Sequence, residues 1–161
     1  FERKGKAIDF SDWNRGKKEA FLEDPVGTLE GIQARLQNFQ EEAQRLLGMY
    51  DEYKAQYDEI YVKLKGAVET HGKDSEQAES LRDEIQPIAR KATDLAFNYR
   101  YYALSAFSLK RYVIAPLYVE LKSKYIDSLE SEGIRRFFAQ YRAILEGFEK
   151  QTVPILVEAD I

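Results

Sequence analysis

LEGIQARLQNFQEEAQRLLGMYDEYKAQYDEIYVKLKGA, residues 29–67, places an apolar side chain at alternating intervals of three and four from end to end. Leu29, Ile32, Leu36, Phe39, Ala43, Leu46, Tyr50, Tyr53, Tyr57, Ile60, Leu64 and Ala67 form this seam without a slip. Positions repeating every 3.5 residues face one side of a slightly underwound α-helix, so the pattern reads as a coiled-coil seam. Glu41, Glu42, Gln44, Asp51, Glu52, Lys54, Asp58 and Lys63 flank it and remain solvated. Gly31, Gly48 and Gly66 fall off the seam, where each costs roughly 1 kcal/mol of helix propensity without interrupting the pattern.

Both ends of this helix are marked. EDPVG, residues 23–27, offers Asp24 as N-cap and Pro25 as first helical residue. ETHGKDSEQ, residues 69–77, offers Gly72 as the stop and Asp74 or Ser75 as the next cap. The seam then resumes through Ala78, Leu81, Ile85, Ile88, Ala92, Leu95, Tyr99, Tyr102, Ala106, Leu109 and Val113. Pro87 lies off this second seam and is expected to bend the helix without ending it. Two seams joined by a tight polar turn fold into an antiparallel hairpin in which paired residue numbers sum to about 145. That register sets Phe39 by Ala106, Ala43 by Tyr102 and Tyr53 by Ala92, a large side chain against a small one each time.

One part of the second helix is apolar on every side. FNYRYYALSAFSLKRY, residues 97–112, holds six aromatic residues, and Phe97, Tyr101, Leu104 and Phe107 lie off the seam. A helix that is apolar all round is covered on more than one face. The expected cover is supplied by the stripes Leu117, Leu121, Tyr125, Leu129 and Ile134, Phe137, Phe138, Tyr141, Ile144, Leu145, Phe148. Pro116 is expected to break or kink the chain near residue 115, and Gly133 to lie in a turn between two short helices. One continuous helix across Gly133 is the alternative.

The expected fold is therefore all-α: an elongated helical bundle built on a long antiparallel coiled-coil hairpin, with two shorter helices packed on one end. It forms a single helical domain over 1–161, with an aromatic-bearing strap at 1–27 that includes a short helix capped by Ser11. Hairpin helices follow at 28–70 and 75–115, covering helices at 117–131 and 133–150, and an apolar tail at 151–161. Residues 50–95 form an arm projecting about 30 Å.

Composition narrows the chemistry. The net charge of −4 and pI near 5.2 supply no global basic field, so no nucleic-acid partner is expected. Membrane association is not expected either, because no apolar run approaches a membrane span. The absence of cysteine excludes disulfides and thiolate metal sites, and His71, the single histidine, sits in the turn. No metal, cofactor or catalytic residue is therefore assigned. A chain that opens on Phe1 and lacks cysteine fits an extracytoplasmic, processed protein; an internal fragment of a larger cytoplasmic protein fits the same facts.

What remains is a non-enzymatic interaction or scaffold module whose arm engages another protein or a second copy of itself. Its candidate contacts are His71, Lys73 and Asp74 at the tip, and Phe97, Arg100, Tyr101 and Leu104 on the aromatic stretch. The alternative is a sensor with a small-molecule pocket lined by Tyr50, Tyr99 and Tyr102.

Overall fold

The computed structural model describes residues 2–13, 21, 23–124, 131–149, 153, 154 and 156, and over these the protein is all-α. Helix α1 runs Pro25–His71 and α2 runs Glu76–Leu109. A π-helical segment, Lys110–Ile114, leads into α3, Ala115–Lys124, and α4 runs Ser131–Glu149. The chain divides into two compact units. The hairpin unit comprises residues 1–4, 44–99 and 153–161; the bundle unit comprises 5–43 and 100–152.

Local chemistry fixes the start of α1. The Asp24 carboxylate accepts a hydrogen bond from the Gly27 N–H at 3.1 Å, and its carbonyl accepts from the Thr28 N–H at 3.1 Å. The carboxylate thereby satisfies one orphan donor at the helix start, and the carbonyl accepts the first intrahelical bond. A Cβ at Gly27 would stand 2.1 Å from Oδ2 of the capping carboxylate, so glycine keeps room for the cap. Of the seam residues on α1, all are buried except the half-buried Tyr53 and Ala67.

In the hairpin unit, Tyr57 and Ile60 of α1 pack with Ile85 and Ala89 of α2, joined by Leu81, Ile88 and Tyr61. These are the neighbours that paired numbers summing to about 145 require. Pro87 is accommodated inside α2 on an exposed position, so the missing N–H costs one ladder bond and no core contact. Pairs such as Lys54–Asp58 and Lys63–Glu59 lie on the exposed face and contribute little to stability.

The bundle unit gathers Leu29, Ile32, Leu36 and Phe39 of α1 with Ser105, Ala106 and Leu109 of α2, Leu117 of α3, and the apolar stripe of α4. Of that stripe Ile134, Phe137, Phe138, Ile144, Leu145 and Phe148 are buried and Tyr141 is half-buried. Phe138 meets Tyr118 of α3 edge-on at 5.0 Å, and Gln33 of α1 donates to the Gln140 amide oxygen of α4. Phe10 and Phe21, from the segment before α1, are buried as well.

Three sequence expectations need correction or delimitation. The chain does not break near residue 115: it passes through the π-helical segment, in which the Ala115 N–H donates to the Lys110 carbonyl five residues back. That wider turn absorbs Pro116, whose ring would otherwise press on the carbonyl four residues before it. Second, Gly133 is not in a turn but is the third residue of α4. First-turn N–H groups have no partner within the helix in any case, so glycine is tolerated there. Third, of the helix expected to be capped by Ser11, residues 14–20 lie outside the described residues. The Ser11 N–H itself donates to Asp9 Oδ1 at 2.9 Å, which holds the Asp9 carboxyl below the usual carboxylate range. Residues 125–130, expected within the first covering helix, also lie outside the described residues.

Candidate interaction surface

The hairpin tip is a tightly bonded turn. Gly72 takes φ +96°, a left-handed conformation open to glycine at no steric cost, and its N–H closes α1 on the Val68 carbonyl at 3.0 Å. Ser75 then serves both helices. Its hydroxyl donates to the Gly72 carbonyl at 2.9 Å and accepts from the Ala78 N–H at 3.2 Å, capping α2. Arg82 reaches back to donate to the Lys73 carbonyl at 2.7 Å. His71, Lys73 and Asp74 stand exposed around this turn.

Further along the hairpin unit, buried polar side chains bond to main chain that belongs to neither hairpin helix. Tyr50 is buried, and its hydroxyl donates to the Pro154 carbonyl at 2.6 Å. Thr93 is buried, and its hydroxyl donates to the Leu156 carbonyl at 2.8 Å. Leu156 packs on the Tyr57, Ile60, Ile85 cluster, and Val153 is buried. Pro154 and Leu156 are thus held through their carbonyls, and Leu156 by apolar contact of its side chain as well.

Asn98 does the equivalent for the chain's beginning. Its Oδ1 accepts from the Lys4 N–H at 2.8 Å while its Nδ2 donates to the Glu2 carbonyl at 3.0 Å. A primary amide offers a donor and an acceptor side by side, so it pairs with an open stretch of backbone as a neighbouring strand would. Arg3 between them pairs with Asp94 at 2.6 Å and lies 4.3 Å above the ring of Phe97. Phe97, a candidate contact from sequence, is therefore half-buried beneath this guanidinium.

The bundle unit repeats the device with hydroxyls. Ser105, fully buried, accepts from the Ile8 N–H at 2.9 Å, and Ser108 accepts from the Phe10 N–H at 3.1 Å. Arg100 is exposed, Leu104 is 57% exposed, and Tyr101 is half-buried edge-on to Tyr102 at 5.1 Å. Tyr102 also meets Phe39 at 6.1 Å. The three tyrosines of the alternative pocket fall in both units: Tyr50 and Tyr99 in the hairpin unit, Tyr102 in the bundle unit. Tyr99 is buried, and burial raises its phenol pKa above the ordinary value.

Among the described residues no group of three potential metal ligands converges, and no buried side-chain nitrogen or oxygen lacks a hydrogen-bond partner. Sequence reasoning passed over Thr93, Asn98, Ser105 and Ser108. A signal was present: Asn98, Ser105 and Ser108 are spaced seven and three apart, on one face of α2, inside an otherwise apolar run. Short polar side chains repeated at helical spacing within such a run have to find a polar partner when they are buried.

No family model, curated protein or solved structure matches the chain.

Proposed function

We propose that the protein is a non-enzymatic interaction module whose helical hairpin, carrying a coiled-coil seam in its sequence, holds extended chain segments of a partner or of a second copy. The observation that supports this reading is the pair of hydrogen bonds from Tyr50 and Thr93 to the Pro154 and Leu156 carbonyls. Backbone carbonyls are common to every peptide, so these two donors fix an extended segment without choosing its sequence. Preference then comes from the apolar sites taken by Val153 and Leu156. Extended peptides bound at sheet edges divide the work in the same manner, with main-chain bonds giving affinity and alternate side chains giving specificity. In this reading the tail is the resident occupant of a groove that also accepts a similar segment in trans.

The test is a fluorescently labelled peptide of residues 151–161 titrated with the intact chain and with its Leu156→Asp variant. A covalently attached tail competes at an effective concentration of about millimolar, so the intact chain binds the peptide weakly. Leu156→Asp places a charge in an apolar site, loosens the resident tail and should tighten peptide binding tenfold or more. Adding Thr93→Val to that variant should weaken it again. Equal peptide binding by the intact chain and by Leu156→Asp would remove the basis for the reading. Light scattering across a concentration series then separates self-association from binding to a different protein.

A further inference from the structure

A cavity of about 360 Å³ opens in the bundle unit. We infer that it is a binding site for a small amphipathic anion, a compact apolar body bearing one carboxylate. Its walls are Phe10, Trp13, Ile32 and Leu109, with Gly31 on the α1 side and Arg35 one helical turn further on. A volume of this size lies within the range of small-molecule sites, and such sites combine mostly apolar walls with a few fixed polar groups.

Arg35 supplies the charged group, and Thr28 of α1 also lines the cavity. Its guanidinium carbon lies 4.8 Å from the centre of the Phe10 ring and 5.9 Å from that of Phe39. A guanidinium held over ring faces still carries five N–H donors, and their fork matches both oxygens of a carboxylate. Among the described residues no carboxylate forms an ion pair with Arg35. The chain's net charge of −4 opposes an anion only weakly, because 0.15 M salt screens charges beyond about 8 Å. Arg35 is the cation among the described lining residues, and at contact distance it outweighs that distant field.

Gly31 keeps the α1 side open. A Cβ there would meet nothing within 4 Å, so a larger side chain could occupy the cavity without displacing the fold. The same position therefore provides a blocking variant. Leucine is also a better helix former than glycine, which keeps Gly31→Leu folded.

Trp13 is the single tryptophan of the chain and forms part of the wall, so its fluorescence reports the cavity directly. The experiment titrates the intact protein with phenylbutyrate, and with phenylbutanol and phenylbutylamine as neutral and cationic counterparts of the same body. The expected result is a saturable fluorescence change with phenylbutyrate, weaker by tenfold or more with the alcohol and absent with the amine. Arg35→Gln should reduce phenylbutyrate binding to the level of the alcohol, and Gly31→Leu should abolish it while the midpoint of thermal unfolding holds or rises. Equal response to all three compounds would overturn the proposal, as would phenylbutyrate binding unchanged by a folded Gly31→Leu. The site and the proposed groove belong to different units, so Leu156→Asp should leave phenylbutyrate binding unchanged.

Discussion

Tyr57 and Tyr99 show how single residues set the limits of the hairpin unit. Both are buried seam residues, and burial raises each phenol pKa above its ordinary value near 10, with Tyr61 and Asp58 adding to the effect at Tyr57. A phenol that holds its proton more tightly when folded leaves stability untouched while both folded and unfolded chains are protonated. As pH rises through about 10 the unfolded chain releases the proton first, and stability falls until the folded group has also titrated. Thermal unfolding followed from pH 8 to pH 11 should therefore show a midpoint that falls at the alkaline end. The slope should be shallower in Tyr57→Phe and Tyr99→Phe. An unchanged slope in both variants would mean that neither phenol is desolvated by folding. The seam itself was legible because a 3.5-residue period repeated over several heptads has one physical meaning. The partners of Thr93 and Asn98 were not, since a short polar side chain in a helix can face water or a passing backbone, and only tertiary contact decides which.

Individual elements carry two further consequences. Gly72 and Pro87 are the two residues of the hairpin whose backbone demands are strongest, and they point in opposite directions. Gly72→Ala forces a Cβ into a left-handed conformation at the tip and should destabilise the protein by about 1 kcal/mol. Pro87→Ala restores an amide donor on an exposed position inside α2 and should stabilise the protein, by at most about 3 kcal/mol. Urea denaturation of both variants checks the pair, and a stabilising Gly72→Ala would contradict the turn described here. Capping at Asp24 and the stop at Gly72 could be read from residue type, because each satisfies a specific unpaired backbone group. Of the break or kink expected at Pro116, the break does not occur, for an equally specific reason. A proline ring presses on the carbonyl four residues before it, a five-residue π-helical segment is one way to release that clash, and residue type does not distinguish a break from a widened turn.

For the molecule as a whole, the pattern of burial matches an all-α chain with two compact units, and the described helices include none long and apolar enough to cross a membrane. The hairpin with its turn was legible at this scale, as was the contribution of the α4 stripe to a buried core. The assignment of terminal segments was less so. Glu2, Lys4, Pro154 and Leu156 bond to the hairpin through backbone atoms, which leave no trace in side-chain pattern. Those same bonds are the basis for reading the hairpin as a holder of extended chain. The most direct measurement is residue-resolved NMR of the isotope-labelled intact protein on addition of unlabelled peptide of residues 151–161. The account predicts that signals of Val153 and Leu156 move to free-tail positions as the peptide is added, while those of Tyr50 and Thr93 stay near their bound positions because the peptide replaces the tail. Tail signals that remain unmoved at millimolar peptide, or that already sit at free-tail positions before any is added, would contradict it.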